Sequence, residues 1–398
     1  MSAAAVPARR SVRFDAEVGV VGGGPAGALV AERLAALGVD VAMWDPKAPW
    51  EKPCGGGLTA AALAEHRELL MIGDRLHLVR RARLETTSGA AVEVPLEHPL
   101  GLVSRRELAQ WQLARARAAG ADVRHVAVRQ LERLPAGGWR VTMRDGATHR
   151  VRHLVGADGA ASLVRASAAP ALPVMLEPTR LAFVPHAAAV PGDVLTVRFE
   201  AGVAGYTWDF PRRDLRSVGA MATPGCRTRA ELDADVDRLR GAGEAGAGRP
   251  VVRAGAVIGT ALHLRGPHYA AIGGADVALL GDAAGLADPA TGEGLHNALR
   301  SAALAAEAFA LHGSFQTYGR WAAGCFEPEF RIARLARRLL YRHSGAVRLI
   351  DWSARHATGR ALLAALLNGA SEHRTALLQP WLHALRHGAT GGARSVPI

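Results

Sequence analysis

A glycine-rich turn close to the N-terminus constrains the fold of this 398-residue chain more than any other feature. The turn, at 22–27, reads Gly-Gly-Gly-Pro-Ala-Gly and follows four apolar residues, at 18–21, that are typical of a buried strand. A helical pattern continues over 27–37, and a second strand is predicted over 40–45. This order of strand, tight turn, helix and strand predicts an α/β chain that begins with a βαβ unit.

The residues of this turn have the chemistry needed to hold a dinucleotide. Gly22 permits the tight turn, Gly24 lets a pyrophosphate approach the backbone, and Gly27 lets helix and strand pack closely. Ala26 lies in the first helical turn, whose free amides and partial positive charge attract phosphate. Asp45 ends the second strand, where a carboxylate accepts hydrogen bonds from ribose hydroxyls. These five positions are predicted cofactor-binding residues of a Rossmann-type domain.

A segment at 277–294 supplies a second half of the predicted cofactor site. Gly281 and Asp282 follow four apolar residues, so Asp282 ends a strand and can bond the hydroxyls of a ribityl chain. Gly292 and Gly294 let the backbone contact a flat ring, and the helix expected to begin next points its positive end at that ring. Together with a third glycine-containing segment at 154–165, these features predict FAD as the cofactor.

Composition narrows the remaining classes of protein. Apolar residues make up 49% of the chain, which is ordinary for a globular protein, and the net charge is +12. No basic tract interleaved with aromatic residues accompanies that charge, so we expect no nucleic-acid partner. The three cysteines, Cys54, Cys226 and Cys325, are too few and too widely spaced for a disulfide framework or a metal site. We therefore expect a cytoplasmic protein without a membrane span.

The remaining segments predict two further structural units. Residues 170–265 are rich in Val, Thr, Pro and Gly, which is typical of a second sheet inserted between flavin segments. The chain after Pro328 has a mostly helical pattern. The predicted fold is thus a Rossmann-type FAD-binding domain with an inserted mixed β-sheet substrate domain and a C-terminal helical segment. The predicted boundaries are 1–70, 100–168 and 268–330 for the FAD domain, 71–99 and 169–267 for the substrate domain, and 331–398 for the helical segment.

The three glycine-containing segments resemble the FAD-binding signature of para-hydroxybenzoate-hydroxylase-like flavoproteins. Within that group, the residues at 52–58 (Lys-Pro-Cys-Gly-Gly-Gly-Leu), 205–211 (Gly-Tyr-Thr-Trp-Asp-Phe-Pro) and 291–294 (Thr-Gly-Glu-Gly) resemble the geranylgeranyl reductase family. The resemblance runs over most of the chain, including the helical region around 362–385. It implies reduction of a carbon–carbon double bond in an apolar, isoprenoid-like substrate, with hydride transfer from reduced flavin.

The resemblance also assigns tasks to individual residues. Arg105 matches an arginine that contacts FAD phosphate, with its neighbour Arg106 as a substitute, and Asp158 matches an acid near the pyrophosphate. Cys54 falls in a loop close to the reacting face of the flavin. The substrate-binding residues implied for the apolar cavity are Tyr206, Trp208 and Phe210. Cys54, Tyr206 or an ordered water is the expected proton donor, although a core role for the cysteine and the aromatic residues stays open.

Several positions depart from the family pattern. His296 and Asn297 stand where two aromatic residues are frequent, Asp288 stands where Asn is frequent, and Arg212 replaces a frequent lysine. The polar pair suggests a polar group on the substrate or different chemistry, and His296 is a candidate acid or base because its pKa lies near neutrality. A structural role for His296 is an equal alternative.

Other functions and partners stay open at the level of sequence. One alternative is an FAD-dependent monooxygenase or halogenase of a tailoring pathway, for which Lys52 can be compared with the essential lysine of halogenases. A second is an electron-transfer flavoprotein that reduces a quinone. NAD(P)H or another external reductant is expected, and the substrate is expected to be an apolar small molecule or a lipid. The basic amphipathic pattern at 331–342 suggests peripheral membrane contact or, alternatively, an ordinary solvated arginine face.

Overall fold

The computed structural model describes residues 13–186, 192–241 and 252–368. Within these ranges the strands are β1 (Ala16–Val21), β2 (Val41–Trp44), β3 (Gly57–Leu58), β4 (His77–Thr86), β5 (Ala91–Leu102), β6 (Asp122–Arg124), β7 (Val128–Arg133), β8 (Trp139–Met143), β9 (Thr148–Gly156), β10 (Met175–Pro185), β11 (Val194–Phe199), β12 (Gly205–Pro211), β13 (Leu215–Ala222), β14 (Val252–Thr260) and β15 (Val277–Leu279). The helices are α1 (Pro25–Ala36), α2 (Ala60–Glu65), α3 (Arg105–Ala118), α4 (Leu163–Ala168), α5 (Arg229–Gly241), α6 (Leu295–His312), α7 (Tyr318–Tyr341), α8 (Gly345–Arg355) and α9 (Ala357–Asn368).

The first sheet carries the predicted cofactor motifs. Its strand order is β6-β2-β1-β9-β8-β7, with β15 paired to β9. Strands β1, β2, β6, β9 and β15 run parallel, so the glycine turn, the end of β9 and the end of β15 meet at one edge. The predicted βαβ start is confirmed, and α1 begins at Pro25 because proline suits the first position of a helix. The largest buried apolar cluster surrounds this sheet.

The second sheet is mixed, and within the described ranges its order is β14-β10-β13-β12-β11-β4-β5-β3. It differs in two places from the predicted substrate-domain boundaries. Strand β3 belongs to this sheet because Gly57 pairs with Leu102, and β5 continues to Leu102 rather than ending at residue 99. The sheet therefore approaches the cofactor motifs through the cysteine loop that precedes β3.

The C-terminal helices close one side of this second sheet. Helix α7 begins at Tyr318 and contains Pro328, so the predicted boundary at 331 falls inside a helix. Helices α8 and α9 pack on β4 and β5 through a cluster formed by Leu84, Val92, Val94, Leu349, Ile350 and Leu363. The part of the predicted helical segment after residue 368 lies outside the described residues. No helix in the described ranges combines the length and the apolar character needed to span a bilayer.

Candidate active site

A cavity of about 730 Å³ lies where the motif edge of the first sheet meets the second sheet and helices α7–α9. Most of the predicted site residues line it: Gly24, Ala26, Cys54, Arg105, Tyr206, Trp208, Phe210, Gly281, Asp282, Gly292, Gly294 and His296. The other predicted cofactor residues, Gly22, Gly27, Asp45 and Asp158, are not among the residues that line the cavity. The structure thus brings together residues that are as far apart as 24 and 296 in the sequence.

The glycine turn is shaped by close contacts on one side and by open space on the other. Gly22 has φ +105°, and a side chain there would lie 2.3 Å from the carbonyl oxygen of Ala157. A side chain at Gly27 would lie 1.9 Å from the carbonyl oxygen of Gly22. Nothing lies within 4 Å of the corresponding position at Gly24, which faces the cavity. The turn therefore fits a pyrophosphate that approaches the backbone at this point.

Asp45 and Asp158, two of the predicted cofactor-binding carboxylates, differ in their surroundings. Asp45 ends β2 and accepts a hydrogen bond from the backbone N–H of Gly23 (2.7 Å), so it lies beside the turn as predicted for a ribose ligand. Asp158 instead caps α4, where it accepts hydrogen bonds from Ser162 Oγ and from the backbone N–H of Leu163 (2.6 Å). Burial raises the pKa of Asp158. The structure places this carboxylate at a helix cap rather than on the cavity wall.

Arg105 offers the cavity a buried positive charge. Its Nε is buried and has no hydrogen-bond partner among the described residues. The neighbouring Arg106 is exposed. Glu51 fixes the start of α3 by accepting from Ser104 Oγ (2.5 Å) and from the backbone N–H of Arg105 (3.0 Å), and it pairs with the fully buried Arg212 (2.8 Å). A buried guanidinium with unused donor capacity fits a cofactor phosphate.

The segment at 277–294 is tied to the cysteine loop and to the segment at 154–165. Lys52 Nζ lies 3.4 Å from Asp282 Oδ2, so the lysine compared with that of halogenases is paired with the predicted ribityl ligand. Arg165 donates to the carbonyl oxygens of Ala283 (2.9 Å) and of Ala160. The sequence does not indicate this task of Arg165, because the carbonyl oxygen of Ala283 belongs to a segment more than 100 residues away.

The loop at 288–291, which precedes Gly292 and Gly294, is held by hydrogen bonds from side chains of other elements. The carbonyl oxygens of residues 289–291 accept hydrogen bonds, in order, from Arg337, Tyr341 and Tyr206. Asp288 Oδ1 accepts from the backbone N–H groups of residues 290 and 291, both at 2.9 Å. Asp288 therefore performs the turn-forming task that the frequent asparagine can also perform. The hydroxyl of Tyr206 is committed to this loop, and burial raises its pKa well above the usual value.

Cys54 and the aromatic strand β12 form one wall of the cavity. Cys54 Sγ accepts from the backbone N–H of Gly56 (3.4 Å). Ser217 Oγ, which is buried, donates to the carbonyl oxygen of Cys54 (3.3 Å) and accepts from Trp208 Nε1 (3.2 Å). A side chain at Gly55 would lie 2.7 Å from the Phe210 ring. These contacts hold the cysteine loop and the aromatic residues of β12 in position against each other.

The polar pair that departs from the family pattern is held by protein contacts. His296 Nε2 lies 2.9 Å from Glu65 Oε2, and Arg300 Nε lies 3.2 Å from the same oxygen. Asn297 Nδ2 donates to the carbonyl oxygen of Leu286 (2.9 Å). Both residues line the cavity, and these contacts fit the structural interpretation of the pair.

Glu293 is a cavity residue to which sequence analysis assigned no task. It stands between Gly292 and Gly294, lines the cavity, and accepts from the backbone N–H of His296 (2.8 Å). Burial raises the pKa of Glu293 to about 7 although the contact with His296 lowers it. The sequence around Glu293 does not indicate this raised pKa, because the shift comes from burial in the folded protein.

The far end of the cavity is apolar. Its wall there includes Leu84, Leu96, Leu100, Val197, Leu339, Leu349, Ile350, Leu363 and Leu366. The predicted amphipathic face of α7 needs correction, because Ile332 and Leu339 line the cavity whereas Leu335 is exposed. Arg334 and Arg337 are buried and paired, so the arginines of this helix do not form one solvated face.

Comparison with known proteins gives consistent relatives. No protein-family model matches the chain. A geranylgeranyl diphosphate reductase from Rhodobacter capsulatus is 29% identical over 75% of this chain and 75% of that protein. A digeranylgeranylglycerophospholipid reductase from Methanopyrus kandleri is 32% identical over 74% of this chain and 80% of the relative. A menaquinone reductase from Mycolicibacterium smegmatis is 30% identical over 81% of this chain and 83% of the relative.

Solved structures share the fold. A geranylgeranyl bacteriochlorophyll reductase-like protein from Thermoplasma acidophilum superimposes with a TM-score of 0.75 at 22% identity, covering 93% of this chain and 99% of that one. A flavin-dependent brominase superimposes with a TM-score of 0.70 at 17% identity, covering 94% and 99%. The predicted fold class and FAD as the cofactor are confirmed. The identity to reductases over most of both chains shows that this chain belongs to the geranylgeranyl reductase family of FAD-dependent oxidoreductases.

Proposed function

We propose that this enzyme reduces a carbon–carbon double bond in a long, apolar, isoprenoid-like substrate. The observation that carries the proposal is the continuity of the cavity, which joins the cofactor glycines to an apolar end lined by β4, β5 and helices α7–α9. A chain molecule that fills the apolar end would extend one of its double bonds to the cofactor glycines. The names of the sequence relatives support the same class of substrate, since geranylgeranyl groups and menaquinone both carry isoprenoid chains.

The protein's residues would hold the cofactor and exclude water. Bound FAD, once reduced, would supply a hydride to the alkene. Arg105 and the amides at the start of α1 would neutralise its phosphates, Asp45 and Asp282 would bond its ribose and ribityl hydroxyls, and the backbone at Gly292 and Gly294 would contact its ring. Trp208 and Phe210 would cover the substrate, and the alignment of reactants in such a site lowers the barrier.

Two further parts belong to the proposal. An external reductant, NAD(P)H or an equivalent donor, would return the cofactor to its reduced form. Peripheral membrane contact would deliver a lipid substrate, and the outer side of α7 suits it because Arg331, Leu335 and Arg338 are exposed there.

The decisive test follows the cofactor and the product together. The FAD-loaded enzyme is reduced without oxygen and mixed with prenyl alkenes of different length. We expect the yellow flavin absorbance to return and the product mass to rise by two hydrogens. A reduced enzyme that never reoxidises with any prenyl alkene contradicts the proposal.

The same experiment separates the second candidate, a monooxygenase or halogenase. Lys52 favours this candidate, because it lines the cavity and lies beside Asp282. The fold is also shared with a flavin-dependent brominase. Reoxidation that requires oxygen, with gain of oxygen or halogen in the product, would favour that function over alkene reduction.

A further inference from the structure

We infer that Glu293 is the proton donor of the alkene reduction, a task for which the sequence predicts Cys54, Tyr206 or an ordered water, with His296 as a candidate acid or base. The inference rests on the proposed function. Glu293 lies on the cavity wall in the loop whose glycines face the cofactor site, and its carboxyl group is oriented by the backbone N–H of His296 (2.8 Å). It therefore lies in the part of the cavity that contains the cofactor glycines, which an alkene must approach to react with the cofactor.

The loop around Glu293 is fixed, so the carboxyl group has a defined position. Three successive carbonyls before it, those of residues 289–291, accept hydrogen bonds from Arg337, Tyr341 and Tyr206. The backbone N–H of Asp288 donates to the carbonyl oxygen of Glu293 (2.7 Å) and closes the loop. A preorganised acid of this kind loses little entropy when it reacts.

The other candidate donors are less suited to the task. The Tyr206 hydroxyl is already engaged as a donor to the loop, and burial raises the pKa of Tyr206 well above its usual value. His296 Nε2 is engaged by Glu65 Oε2, which lies 2.9 Å away. Burial raises the pKa of Glu293 to about 7, so this carboxyl group carries a proton in a large fraction of molecules near neutrality.

The charged and titratable groups around Glu293 come from several elements. Asp288 in the same loop raises the pKa of Glu293 further, and His296 on α6 lowers it. Tyr206 on β12 and Tyr341 on α7 line the same cavity, and burial raises the pKa of each. Glu65 on α2 contacts His296, with Oε2 lying 2.9 Å from Nε2. The rate of alkene reduction should therefore be controlled mainly by the Glu293 proton between pH 6 and 9, a window set by the pKa of about 7.

The reaction balances with this assignment. Bound, reduced FAD would supply the hydride, a two-electron equivalent, for one new C–H bond, and the Glu293 proton would form the other as the π bond breaks. The substrate would gain two hydrogens, and the Glu293 carboxylate would then take a proton from solvent. No further reactant is needed beyond the external reductant already proposed.

The test compares Glu293→Gln and Glu293→Asp with a matched control, Glu107→Gln. Burial also raises the pKa of Glu107, but this residue lies on α3 outside the cavity wall. For each protein, the rate of anaerobic flavin reoxidation by a prenyl alkene is followed against pH. A second readout needs no turnover: infrared difference spectra of the wild type and the Gln variant follow protonation of the Glu293 carboxyl group directly.

For the wild type we expect a rate that falls about tenfold per pH unit above neutrality and a carboxyl signal that titrates near pH 7. Glu293→Gln should lose about 100-fold in rate and the pH dependence, Glu293→Asp should retain part of both, and Glu107→Gln should match the wild type. An active wild type whose Gln variant keeps the same rate and pH profile overturns this inference alone. A wild type inactive with every alkene overturns the proposed function as well.

Discussion

At the scale of single residues, Arg105 is the side chain on which FAD affinity should depend most. Its buried Nε has no described partner, whereas Arg106 is exposed. Arg105→Met removes a charge from a buried phosphate contact, a loss of about 2–5 kcal/mol, so the Kd for FAD should rise at least about 30-fold. Arg106→Met should leave it nearly unchanged. Titration of the apoprotein with FAD, followed by flavin fluorescence, measures both. Equal losses in the two variants would contradict a specific task for Arg105, and a loss in Arg106→Met alone would assign the phosphate contact to Arg106.

At this scale the sequence indicates the positions of residues more readily than their tasks. Gly24 and Asp282, each of which follows a predicted strand, line the cavity. Asp158 belongs to a glycine-containing segment, but its carboxylate caps α4, because Ser162 and the amides that follow it lie within reach. Glu293 could not be recognised as an acid with a raised pKa, since burial by other elements causes the shift. Local patterns predict backbone shape, and tertiary contacts decide what each carboxylate does.

At the scale of elements, helix α7 couples the second sheet to the cofactor loop. Arg337 donates to Glu177 of β10 (2.6 Å) and to the carbonyl oxygen of Pro289, and both side chains are buried. Arg337→Met leaves Glu177 as a buried uncompensated charge, which should lower the free energy of unfolding by about 3–5 kcal/mol. Arg338→Met, on the exposed side of the same helix, should change it by less than about 0.5 kcal/mol. Denaturant unfolding of the two variants measures the difference.

A double variant separates lost charge pairing from lost packing in this element. Glu177→Gln combined with Arg337→Met removes both charges, and most of the stability should return because no unpaired charge remains. If the double variant is as unstable as Arg337→Met alone, the contact between Arg337 and the Pro289 carbonyl oxygen carries the stability instead.

The elements of the first sheet could be predicted because each follows a pattern within a short stretch of chain. Strand β1, helix α1 and helix α6 all agree with the predicted positions. The assignment of β3 to the second sheet could not be predicted, because it consists of two residues and forms only through pairing with β5. The start of α7 was missed because Pro328 interrupts the helical pattern ten residues after the helix begins.

At the scale of the whole molecule, the reach of the cavity should set the length of the substrate. Leu363 of α9 lines its apolar end, and Leu335 of α7 is exposed on the outside. Leu363→Trp should lower kcat/KM for long prenyl alkenes by about tenfold or more and leave short ones nearly unaffected, since lost contacts of this size are worth about 1–3 kcal/mol. Leu335→Trp is the control. FAD content of each variant shows whether the cofactor end is intact, and equal losses for long and short alkenes would contradict the assignment.

The sequence predicts a cofactor domain, an inserted sheet and a helical segment. It could not show that they share one cavity, because the packing of α8 and α9 on β4 and β5 joins stretches of chain more than 200 residues apart. No single stretch of the sequence indicates this contact, because its residues come from different elements: Leu84, Val92, Leu349 and Leu363.

Because one cavity would hold both the cofactor and an apolar ligand, the choice of detergent during purification should affect cofactor content. A detergent tail or a co-purified fatty acid that slides inward from α9 would occupy volume that the riboflavin portion needs. Apoprotein prepared with detergent should therefore take up added FAD poorly. Uptake of FAD should return once hydrophobic beads have removed the bound lipid or detergent.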